Sequence, residues 1–389
     1  MWISNVRLVQ QGRIQHCDIE IQQDRIREIY PVGSADRTQL FFDGQGRYLS
    51  HGFIDIHVHG GGGGDFMDGT EDAWRAATNL HLRHGTTGMV PTTLSASKEE
   101  LLKAFSVFET CRKDPGNGAK VLGLHLEGPY FSPLQAGAQD PSQLRTPVYE
   151  EYSRLAAEDA RILRWSLAPE LPGSREMAAW LKRRGIVAAV GHSNATYKEM
   201  EQAVQDGFTH ITHLYSGCSS ITRDMGFRRG GVVEAAYVLE ELTSEIIADG
   251  CHLPMELLRM AYRFIGPHRL ALVTDAMRAA GQKEGESILG SLENGQRIII
   301  EDGVAKMPDR QAFAGSVCTT DRLVRNMVEL AGASLPDAVM MMTQTPARIM
   351  GLQNVTGTVA PGRKADLVLF DDSIQVQAVW TDGVLRYCP

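Results

Sequence analysis

The stretch Gly52-Phe53-Ile54-Asp55-Ile56-His57-Val58-His59-Gly60 predicts a buried strand that carries two histidines with one residue between them. Residues i and i+2 of an extended strand share a face, so His57 and His59 are expected to point the same way. Glycines occupy positions 60–64, where they remove side chains beside the imidazoles and let the backbone turn out of the strand. The pattern indicates a metal-chelating pair, although alternating polar residues also occur on half-solvated strands.

Length and composition limit the class of protein. The chain has 389 residues, of which 43% are hydrophobic and 22% charged, and this predicts one large globular domain with a smaller one. The net charge of -8 argues against general affinity for nucleic acid or acidic membranes, and there is no long apolar run for a membrane span. Six scattered cysteines suit a reducing compartment, and the first residues do not resemble a signal peptide, so a cytoplasmic location is expected.

Apolar segments alternate with amphipathic ones after residue 52, which is typical of repeated strand-helix units around a parallel sheet. The predicted strands are 53–58, 88–92, 121–126, 163–168, 186–190, 209–214, 245–248 and 270–274. The predicted helices are 71–83, 97–113, 148–160, 174–184, 196–206, 232–241, 254–264 and 319–332. Eight strands and about eight helices predict an α/β fold of the (β/α)8 TIM-like barrel type. A doubly wound open sheet is the alternative.

The two ends of the chain have a different hydrophobic pattern from the middle. Residues 1–50 hold short segments of alternating apolar and polar residues, which predict a small antiparallel sheet. A strand-like pattern returns after the predicted helix that ends near residue 350. We therefore predict a discontinuous small domain from residues 1–50 and 351–389, and a barrel domain from residues 51–350. Residues 285–314 are predicted to pass over the barrel mouth.

Metal-capable residues occur where the predicted strands end. In a barrel these ends form one rim, so residues far apart in sequence would meet in one cavity. Imidazoles and carboxylates without thiolates suit a catalytic site for zinc, iron(II), manganese or cobalt. The predicted ligand-type residues are His57, His59, Glu127, His192, His213 and Asp275.

These residues divide into candidate roles. We predict that Glu127, His192 and His213 bind one divalent ion, and that His57 and His59 serve a second ion that Glu127 bridges. Whether both ions bind stays open. Asp275 is best placed as the acid/base that takes a proton from the reacting water, with a plain ligand as the alternative role.

The other histidines and two arginines have weaker patterns. His125 is predicted to be a packed, hydrogen-bonded histidine, and His210 to face away from the barrel centre. His252 follows the seventh strand at the same rim and is a candidate substrate contact. Arg228 and Arg229 lie in a glycine-bounded loop, either as anion binders or as surface charge.

Several motifs together resemble one family. They are Gly-Phe-Ile-Asp-x-His-x-His-Gly (52–60), His-Leu-Glu-Gly-Pro (125–129), Gly-His-Ser (191–193), Thr-His-Leu-Tyr (212–215), Ile-Ala-Asp-Gly-x-His (247–252), Val-Thr-Asp-Ala (273–276), Thr-Pro-Ala (345–347) and the tail 357–366. Their order and spacing resemble the N-acetylglucosamine-6-phosphate deacetylases of the amidohydrolase superfamily.

The resemblance implies a barrel with an appended β-sandwich, a homodimer, and hydrolysis of the acetamide of an amino-sugar 6-phosphate. It also implies that Glu127, His192 and His213 are the main metal ligands and that Asp275 is the catalytic acid/base. The family's arginine from the neighbouring subunit would be Arg228, with Arg223 and Arg229 as alternatives. The implied substrate contacts are Ala138, Gln139, Ser216, Gly217, His252, the backbone of 249–251, Ala314, Gly315 and Ser316.

Two departures from the family leave the substrate open. Ser216-Gly217 stands where the family reads Asn-Ala, and the loop 218–229 is longer than usual. The alternatives are deacetylation of N-acetylgalactosamine 6-phosphate or of an unphosphorylated sugar, and a silent sugar-phosphate-binding barrel. A dihydropyrimidinase-like or dipeptidase-like amidohydrolase is disfavoured, because no lysine ends a predicted strand to bridge two metals.

Overall fold

The computed structural model describes residues 1–114, 116–156 and 161–389. The strands are β1 (Trp2–Gln10), β2 (Arg13–Gln22), β3 (Arg25–Pro31), β4 (Phe41–Asp43), β5 (Tyr48–His51), β6 (Phe53–Val58), β7 (Gly60–Gly61), β8 (Gly64–Asp65), β9 (Thr86–Pro91), β10 (Lys120–Val121), β11 (Leu124–Glu127), β12 (Ile162–Leu167), β13 (Val187–Val190), β14 (Phe208–Ile211), β15 (Thr222–Asp224), β16 (Phe227–Arg229), β17 (Thr243–Ile247), β18 (Leu270–Val273), β19 (Gly285–Leu289), β20 (Gln296–Glu301), β21 (Val304–Lys306), β22 (Leu367–Phe370), β23 (Val376–Thr381) and β24 (Val384–Tyr387).

The helices are α1 (Glu71–Arg83), α2 (Lys98–Phe105), α3 (Phe108–Lys113), α4 (Tyr149–Leu155), α5 (Ser174–Arg183), α6 (Tyr197–Asp206), α7 (Val232–Val238), α8 (Met255–Ile265), α9 (Thr320–Glu329), α10 (Leu335–Met341) and α11 (Gln344–Ile349). Short 3-10 helices lie at Phe66–Asp68, Pro133–Gln135 and Pro141–Gln143. Within the described ranges, no helix has both the length and the apolar character that crossing a membrane requires.

Both ends of the chain contribute to one eight-stranded sheet. Its order is β24-β23-β22-β5-β1-β2-β3, with β4 beside β1, and β22 joins the two ends by pairing antiparallel with β5. The prediction of an antiparallel sheet was wrong for two pairs, because β1 runs parallel to both β4 and β5. A parallel pair requires a crossover connection, which residues 32–40 provide between β3 and β4.

The middle of the chain forms two all-parallel sheets, β6-β9-β10 and β11-β12-β13-β14-β17-β18. The two sheets contact each other at both edges. Thr92 and His125 form a parallel bridge beside β9 and β11, and the Asp275 amide donates to the His57 carbonyl (2.9 Å) beside β18 and β6. The fold is therefore mixed α/β, and the C-terminal ends of its parallel strands lie on one side.

Most predicted helices are present, with two differences that matter. The predicted helix 97–113 is two helices, α2 and α3, because the Ser106 hydroxyl donates to the Lys103 carbonyl (2.6 Å) where α2 ends and competes with the helical hydrogen bonds. The predicted helix 148–160 corresponds to α4, and residues 157–160 lie outside the described residues.

Charged side chains fill part of the space enclosed by the parallel strands. Arg164 of β12, His210 of β14 and Glu245 of β17 are 0% exposed, and Glu245 contacts both of the others. The prediction that His210 faces away from the centre was wrong. The prediction assumed that side chains alternate between the two faces of the strand as far as His213. His213 has a φ of 25°, which lies outside the extended range, so the alternation does not reach it.

An aromatic contact joins the terminal sheet to the parallel strands. Phe370 of β22 is 0% exposed, and its ring centroid lies 5.7 Å from that of Tyr48 and 6.2 Å from that of Phe53. Phe53 begins β6, the strand that carries His57. The position of this strand therefore depends on packing against the terminal sheet.

We expect Phe370→Ala to lower the free energy of unfolding by about 3–5 kcal/mol, because it removes a fully buried aromatic side chain and leaves a cavity. Urea unfolding followed by fluorescence measures the change. Phe41→Ala is the control, since Phe41 is 40% exposed on β4, and it should change stability by less than about 1 kcal/mol. Equal effects of the two substitutions would contradict the packing role.

Candidate metal centre

The structure brings the six predicted ligand-type residues together at the C-terminal ends of the parallel strands. Three of them, His192, His213 and Asp275, have positive φ angles of 44°, 25° and 47°, each two residues after the end of β13, β14 or β18. Such angles are uncommon for residues other than glycine and cluster at functional sites, where the surrounding structure holds the strain. The backbone thus turns these side chains out of the strand ladder and toward a shared centre.

Glu127, at the end of β11, lies in the middle of the cluster. Its Oε1 is 2.9 Å from Nε2 of His213 and 3.3 Å from Nε2 of His192, and its Oε2 is 3.4 Å from Nε2 of His59. The Glu127 side chain is 3% exposed. Nε2 of His57 also lies 3.6 Å from Oε1, so this single buried carboxylate faces four imidazole nitrogens.

Asp275 faces the other pair of histidines. Its Oδ1 is 3.0 Å from Nε2 of His59 and 3.4 Å from Nε2 of His57, and these two nitrogens are 3.3 Å apart. Two overlapping groups have donor atoms within 4.8 Å of one another: His57, His59 and Asp275, and His57, Glu127 and His213. The spacing of these donors is compatible with one or two cations.

The hydrogen bonds behind the imidazoles fix which nitrogen faces the centre. Nδ1 of His192 lies 2.8 Å from the Gln135 carbonyl, and Nδ1 of His59 lies 3.2 Å from the Thr92 carbonyl. A carbonyl oxygen only accepts, so each Nδ1 carries a proton, and Nε2 is the nitrogen that faces the carboxylate oxygens. Lone pairs directed at carboxylates repel unless a cation lies between them, so the residues fit a metal.

The charges around His57 favour positive charge at the centre. Burial lowers the pKa of His57, but the charges of Asp275, Glu127 and Glu245 outweigh burial and raise this pKa to about 9. Burial raises the pKa of the Glu127 carboxyl, yet the His57 charge and the histidine hydrogen bonds hold it well below its usual range. A proton or a metal ion would stabilise this cluster of acids in the same way.

A cavity of about 190 Å³ opens onto the centre, and four of the candidate ligands, His59, Glu127, His192 and His213, line it together with Asp275. Of the predicted substrate contacts, Ala138, Gln139, Ser216, Gly217, His252 and Gly315 also line it. Gln139 contacts the centre directly, because its Nε2 donates to Oε2 of Glu127 (2.8 Å). His252 is held by Asp249, whose Oδ2 lies 2.8 Å from Nδ1.

The remaining predicted contacts lie elsewhere. Ala314 and Ser316 are 0% exposed and stand behind the cavity wall rather than in it. Arg228 lies on the hairpin of β15 and β16, all of whose residues are exposed, and it is not among the described residues that line the cavity. Arg223 and Arg229 are on the same hairpin, and Arg229 pairs with Asp224 (3.1 Å).

Of the two roles predicted for the glycines after His59, the backbone turn is confirmed, since Gly62 and Gly63 have φ angles of 62° and 94° between β7 and β8. A Cβ on Gly60 would lie 2.2 Å from the Gly64 carbonyl, and a Cβ on Gly64 would lie 2.3 Å from the Ala73 carbonyl of α1. None of the described residues that line the cavity is a glycine from positions 60–64. These glycines are required for tight packing of the β7-β8 turn against α1, and not for approach to the imidazoles.

Sequence reasoning missed several residues of the site. Leu94 and Phe313 line the cavity from loops, and Leu289 lines it from the end of β19; none of these segments carries a motif. Glu245 and Arg164 lie directly behind His57, and they had a signal in the sequence. Each is a charged residue inside an otherwise apolar predicted strand, where burial demands a partner.

Comparison with known proteins places the chain in a family. A model of the amidohydrolase family matches residues 48–386, and the chain belongs to this family. It is 31% identical to N-acetylglucosamine-6-phosphate deacetylase of Lysinibacillus sphaericus, over 99% of this chain and 97% of the relative. It is 32% identical to N-acetylgalactosamine-6-phosphate deacetylase of Escherichia coli O157:H7, over 97% of each.

A solved structure is similar over the whole chain. A mutant of N-acetyl-D-glucosamine-6-phosphate deacetylase from Mycobacterium smegmatis, in complex with N-acetyl-D-glucosamine-6-phosphate, superposes with a TM-score of 0.91. Identity is 31%, and the match covers 99% of both chains. The family predicted from the motifs is confirmed, and with it a hydrolytic enzyme that acts on an amide bond.

We expect metal affinity to rise with pH. His57 holds a proton below about pH 9 in the metal-free protein, and a metal-bound imidazole is neutral, so each ion that binds to His57 displaces that proton. Burial lowers the pKa of His59, but hydrogen bonds with Asp275 and Glu127 raise it well above its usual value, so a proton is displaced there too. Affinity for zinc should therefore rise by about tenfold or more per pH unit below pH 9. Chelator competition measures the affinity, and calorimetry in two buffers with different ionisation heats measures the released protons. A flat profile would rule out proton displacement.

Proposed function

We propose that this protein is a divalent-metal-dependent deacetylase that converts N-acetylglucosamine 6-phosphate to glucosamine 6-phosphate and acetate. One observation carries the proposal: the buried Glu127 carboxylate faces Nε2 atoms of His59, His192 and His213 beside Asp275, in a chain similar over its full length to deacetylases. Zinc is the proposed metal, and iron, manganese and cobalt suit the same donors.

The proposal includes the architecture. The parallel strands would close into a (β/α)8 barrel of residues 51–350, which the contacts at both sheet edges support. Residues 1–50 and 351–389 would form the small β-sandwich domain, which the pairing of β5 with β22 supports. A barrel of this kind carries its site at the C-terminal ends of its strands.

Two ion positions are proposed. Glu127, His192 and His213 would hold the first ion. His57, His59 and Asp275 would hold the second, and Glu127 would lie between the two. The close donor atoms of His57, His59 and Asp275 support the second position. For the first position, the support is Oε1 of Glu127, which lies 2.9 Å from Nε2 of His213 and 3.3 Å from Nε2 of His192.

The mechanism follows from the positions of the donors. When bound, a divalent cation supplies a Lewis acid that makes water acidic and polarises the acetamide carbonyl. Asp275 lies at the cavity wall, where its carboxylate takes a proton from the attacking water. It then gives the proton to the amine nitrogen as the carbon-nitrogen bond breaks, because an unprotonated amine leaves slowly. Glu127 keeps its position through the hydrogen bond from Gln139.

The substrate is proposed to bind in the cavity beside the metal centre. Ser216, Gly217 and His252 line it from the loops after β14 and β17, and Ala138 and Gln139 line it from the loop after β11. Gly315 lies in the wall between its buried neighbours Ala314 and Ser316, which would act through their backbone. The sugar and its phosphate would lie on the side of Ser216.

A homodimer would supply an arginine to the cavity, whose lining, among the described residues, includes neither lysine nor arginine. Arg228 is exposed on a hairpin that projects hydrophobic side chains, Met225 (89% exposed) and Phe227 (70% exposed), into solvent. Such exposed apolar residues are typical of an interface. Arg228 of one copy would then meet the phosphate in the cavity of the other.

N-acetylgalactosamine 6-phosphate is the second candidate substrate. The relative from Escherichia coli, named for that sugar phosphate, is 32% identical to this chain. Ser216-Gly217 also replaces the amide side chain that the family usually presents, which changes the hydroxyl or phosphate contact. The two substrates differ only in the configuration of one hydroxyl group.

Acetate release from four substrates tests the function. They are N-acetylglucosamine and N-acetylgalactosamine, each with and without the 6-phosphate, given to protein loaded with zinc, iron(II) or manganese. We expect N-acetylglucosamine 6-phosphate to be hydrolysed fastest. Its kcat/KM should be about tenfold to a hundredfold above that of the unphosphorylated sugar, because the unphosphorylated sugar lacks the charge-assisted contacts to phosphate.

Asp275→Asn should lower kcat by about 10²–10⁴-fold, because it removes the carboxylate that accepts and returns the proton, whereas Glu201→Gln on the exposed side of α6 should leave kcat unchanged. Binding of the sugar phosphate without acetate release would favour the silent barrel.

Arg228→Ala tests the proposed phosphate contact. We expect KM for the phosphorylated sugar to rise about tenfold or more with kcat nearly unchanged, because a contact used equally in ground and transition states is removed. Arg175→Ala is the matched control, since Arg175 pairs with Asp206 (3.1 Å) on the outer helices. An unchanged KM for Arg228→Ala in the dimer would remove this arginine from the site.

A further inference from the structure

Behind His57 lies a carboxylate that neither the motifs nor the proposed mechanism uses. Glu245 of β17 is 0% exposed, and its Oε1 lies 2.7 Å from Nδ1 of His57. The same oxygen lies 3.3 Å from the backbone nitrogen of His213. One buried oxygen atom therefore contacts two of the candidate metal ligands, one by its side chain and one by its backbone.

Arg164 neutralises the charge of this carboxylate inside the fold. Both terminal nitrogens of Arg164 donate to Glu245, with Nη2 2.7 Å from Oε1, and Nη2 also donates to the Thr212 hydroxyl (2.8 Å). The imidazole of His210 lies 3.1 Å from the other oxygen, Oε2. Burying a carboxylate is costly unless it is paired in this way, so the pair keeps Glu245 ionised next to the metal centre.

The ionised carboxylate of Glu245 selects one tautomer of His57. Because Glu245 only accepts hydrogen bonds, Nδ1 of His57 must carry the proton. When the ring is neutral, as it is when it binds a metal, the Nε2 lone pair faces Asp275 Oδ1 (3.4 Å) and Nε2 of His59 (3.3 Å). With the opposite tautomer, Nε2 would carry a proton and His57 would not be a ligand.

We propose that Glu245, kept ionised by Arg164, is the positioning residue that makes His57 a ligand and so sets occupancy of the ion position formed by His57, His59 and Asp275. Glu245 acts through His57 and does not touch substrate. The ion position of Glu127, His192 and His213 depends on it less, because Glu245 reaches that position only through the His213 backbone. The inference rests on the proposed metal site.

Two double variants isolate the hydrogen-bond acceptor from the ion pair. Arg164→Met/Glu245→Met and Arg164→Met/Glu245→Gln both remove the two charges, and methionine and glutamine have similar length. Each double variant removes both charges of the buried ion pair together and leaves no unpaired buried charge, so both proteins should fold. Only the glutamine variant retains an oxygen that can accept from Nδ1 of His57.

Metal titration of each purified apoprotein with zinc, and with cobalt followed by its visible absorption, gives the affinity and number of ions. We expect the methionine variant to lose about tenfold to a hundredfold affinity at one ion position and to keep the other. The glutamine variant should stay within a few-fold of the unmodified protein at both positions. The unfolding temperatures of the metal-free proteins should not rank the variants in the same order as their metal affinities.

The single variant Arg164→Met is the control for stability. It leaves an unpaired buried carboxylate, so the metal-free protein should unfold at lower temperature, yet His57 retains its acceptor and both ions should bind. Equal metal affinities of the methionine and glutamine variants would overturn the positioning role. Metal affinities that fall in proportion to the unfolding temperatures of the variants would overturn it too. An unmodified protein that binds no divalent ion would instead overturn the proposed function.

A measurement on the unmodified protein covers the case in which a double variant does not fold. In protein with 15N-labelled histidine and bound zinc, the His57 signal should show a protonated Nδ1 and a metal-bound Nε2. The His57→Gln protein assigns that signal. A His57 that binds through Nδ1, or an Nδ1 without a proton, would overturn the inference.

Discussion

Burial of acidic side chains in one small volume is the constraint on which the rest of this structure depends. Glu127, Asp275 and Glu245 are each less than one tenth exposed, and all three lie within 4 Å of the same imidazole, that of His57. Like charges this close in a medium of low dielectric constant are strongly unfavourable unless positive charge offsets them. Arg164 offsets Glu245, and the donor atoms that remain are those that a divalent cation prefers.

The backbone meets this constraint with strain at the strand ends. His192, His213 and Asp275 leave their strands in left-handed conformations, which place their side chains at the centre instead of on alternating strand faces. The surrounding hydrogen bonds hold them there. The Asp275 amide is bound by the His57 carbonyl, and Nδ1 of His192 is bound by the Gln135 carbonyl. The elements that support the site therefore come from both parallel sheets and from the loop after β11.

The cavity combines a polar centre with a partly apolar wall. Leu94, Leu289 and Phe313 come from three separate segments and face the same space as the candidate ligands. Phe313 packs on the His252 ring, with centroids 4.8 Å apart, and follows the three-stranded excursion β19-β20-β21. An apolar wall excludes water and strengthens the electrostatic contacts inside. The excursion predicted over the mouth thus takes part in the site itself.

The sequence by itself determined the period of strands and helices, the order of motifs and the identity of the ligand-type residues. Period-2 and helical patterns are local properties, and apolar segments such as Phe53–Val58 therefore predicted β6 with its correct bounds. The motif of residues 52–60 and those after it determined the family for the same reason.

Tertiary structure decided everything that depends on where side chains from distant strands meet. The inward position of His210, the pairing of Arg164 with Glu245 across β12 and β17, and the packing of Gly64 against α1 were all of this kind. A residue in the left-handed conformation, such as His213, interrupts the alternation from which strand faces are predicted. The apolar and polar pattern of the sequence does not indicate where such an interruption occurs. Contacts between residues far apart in sequence are fixed only when the strands pack and the buried charges find their partners.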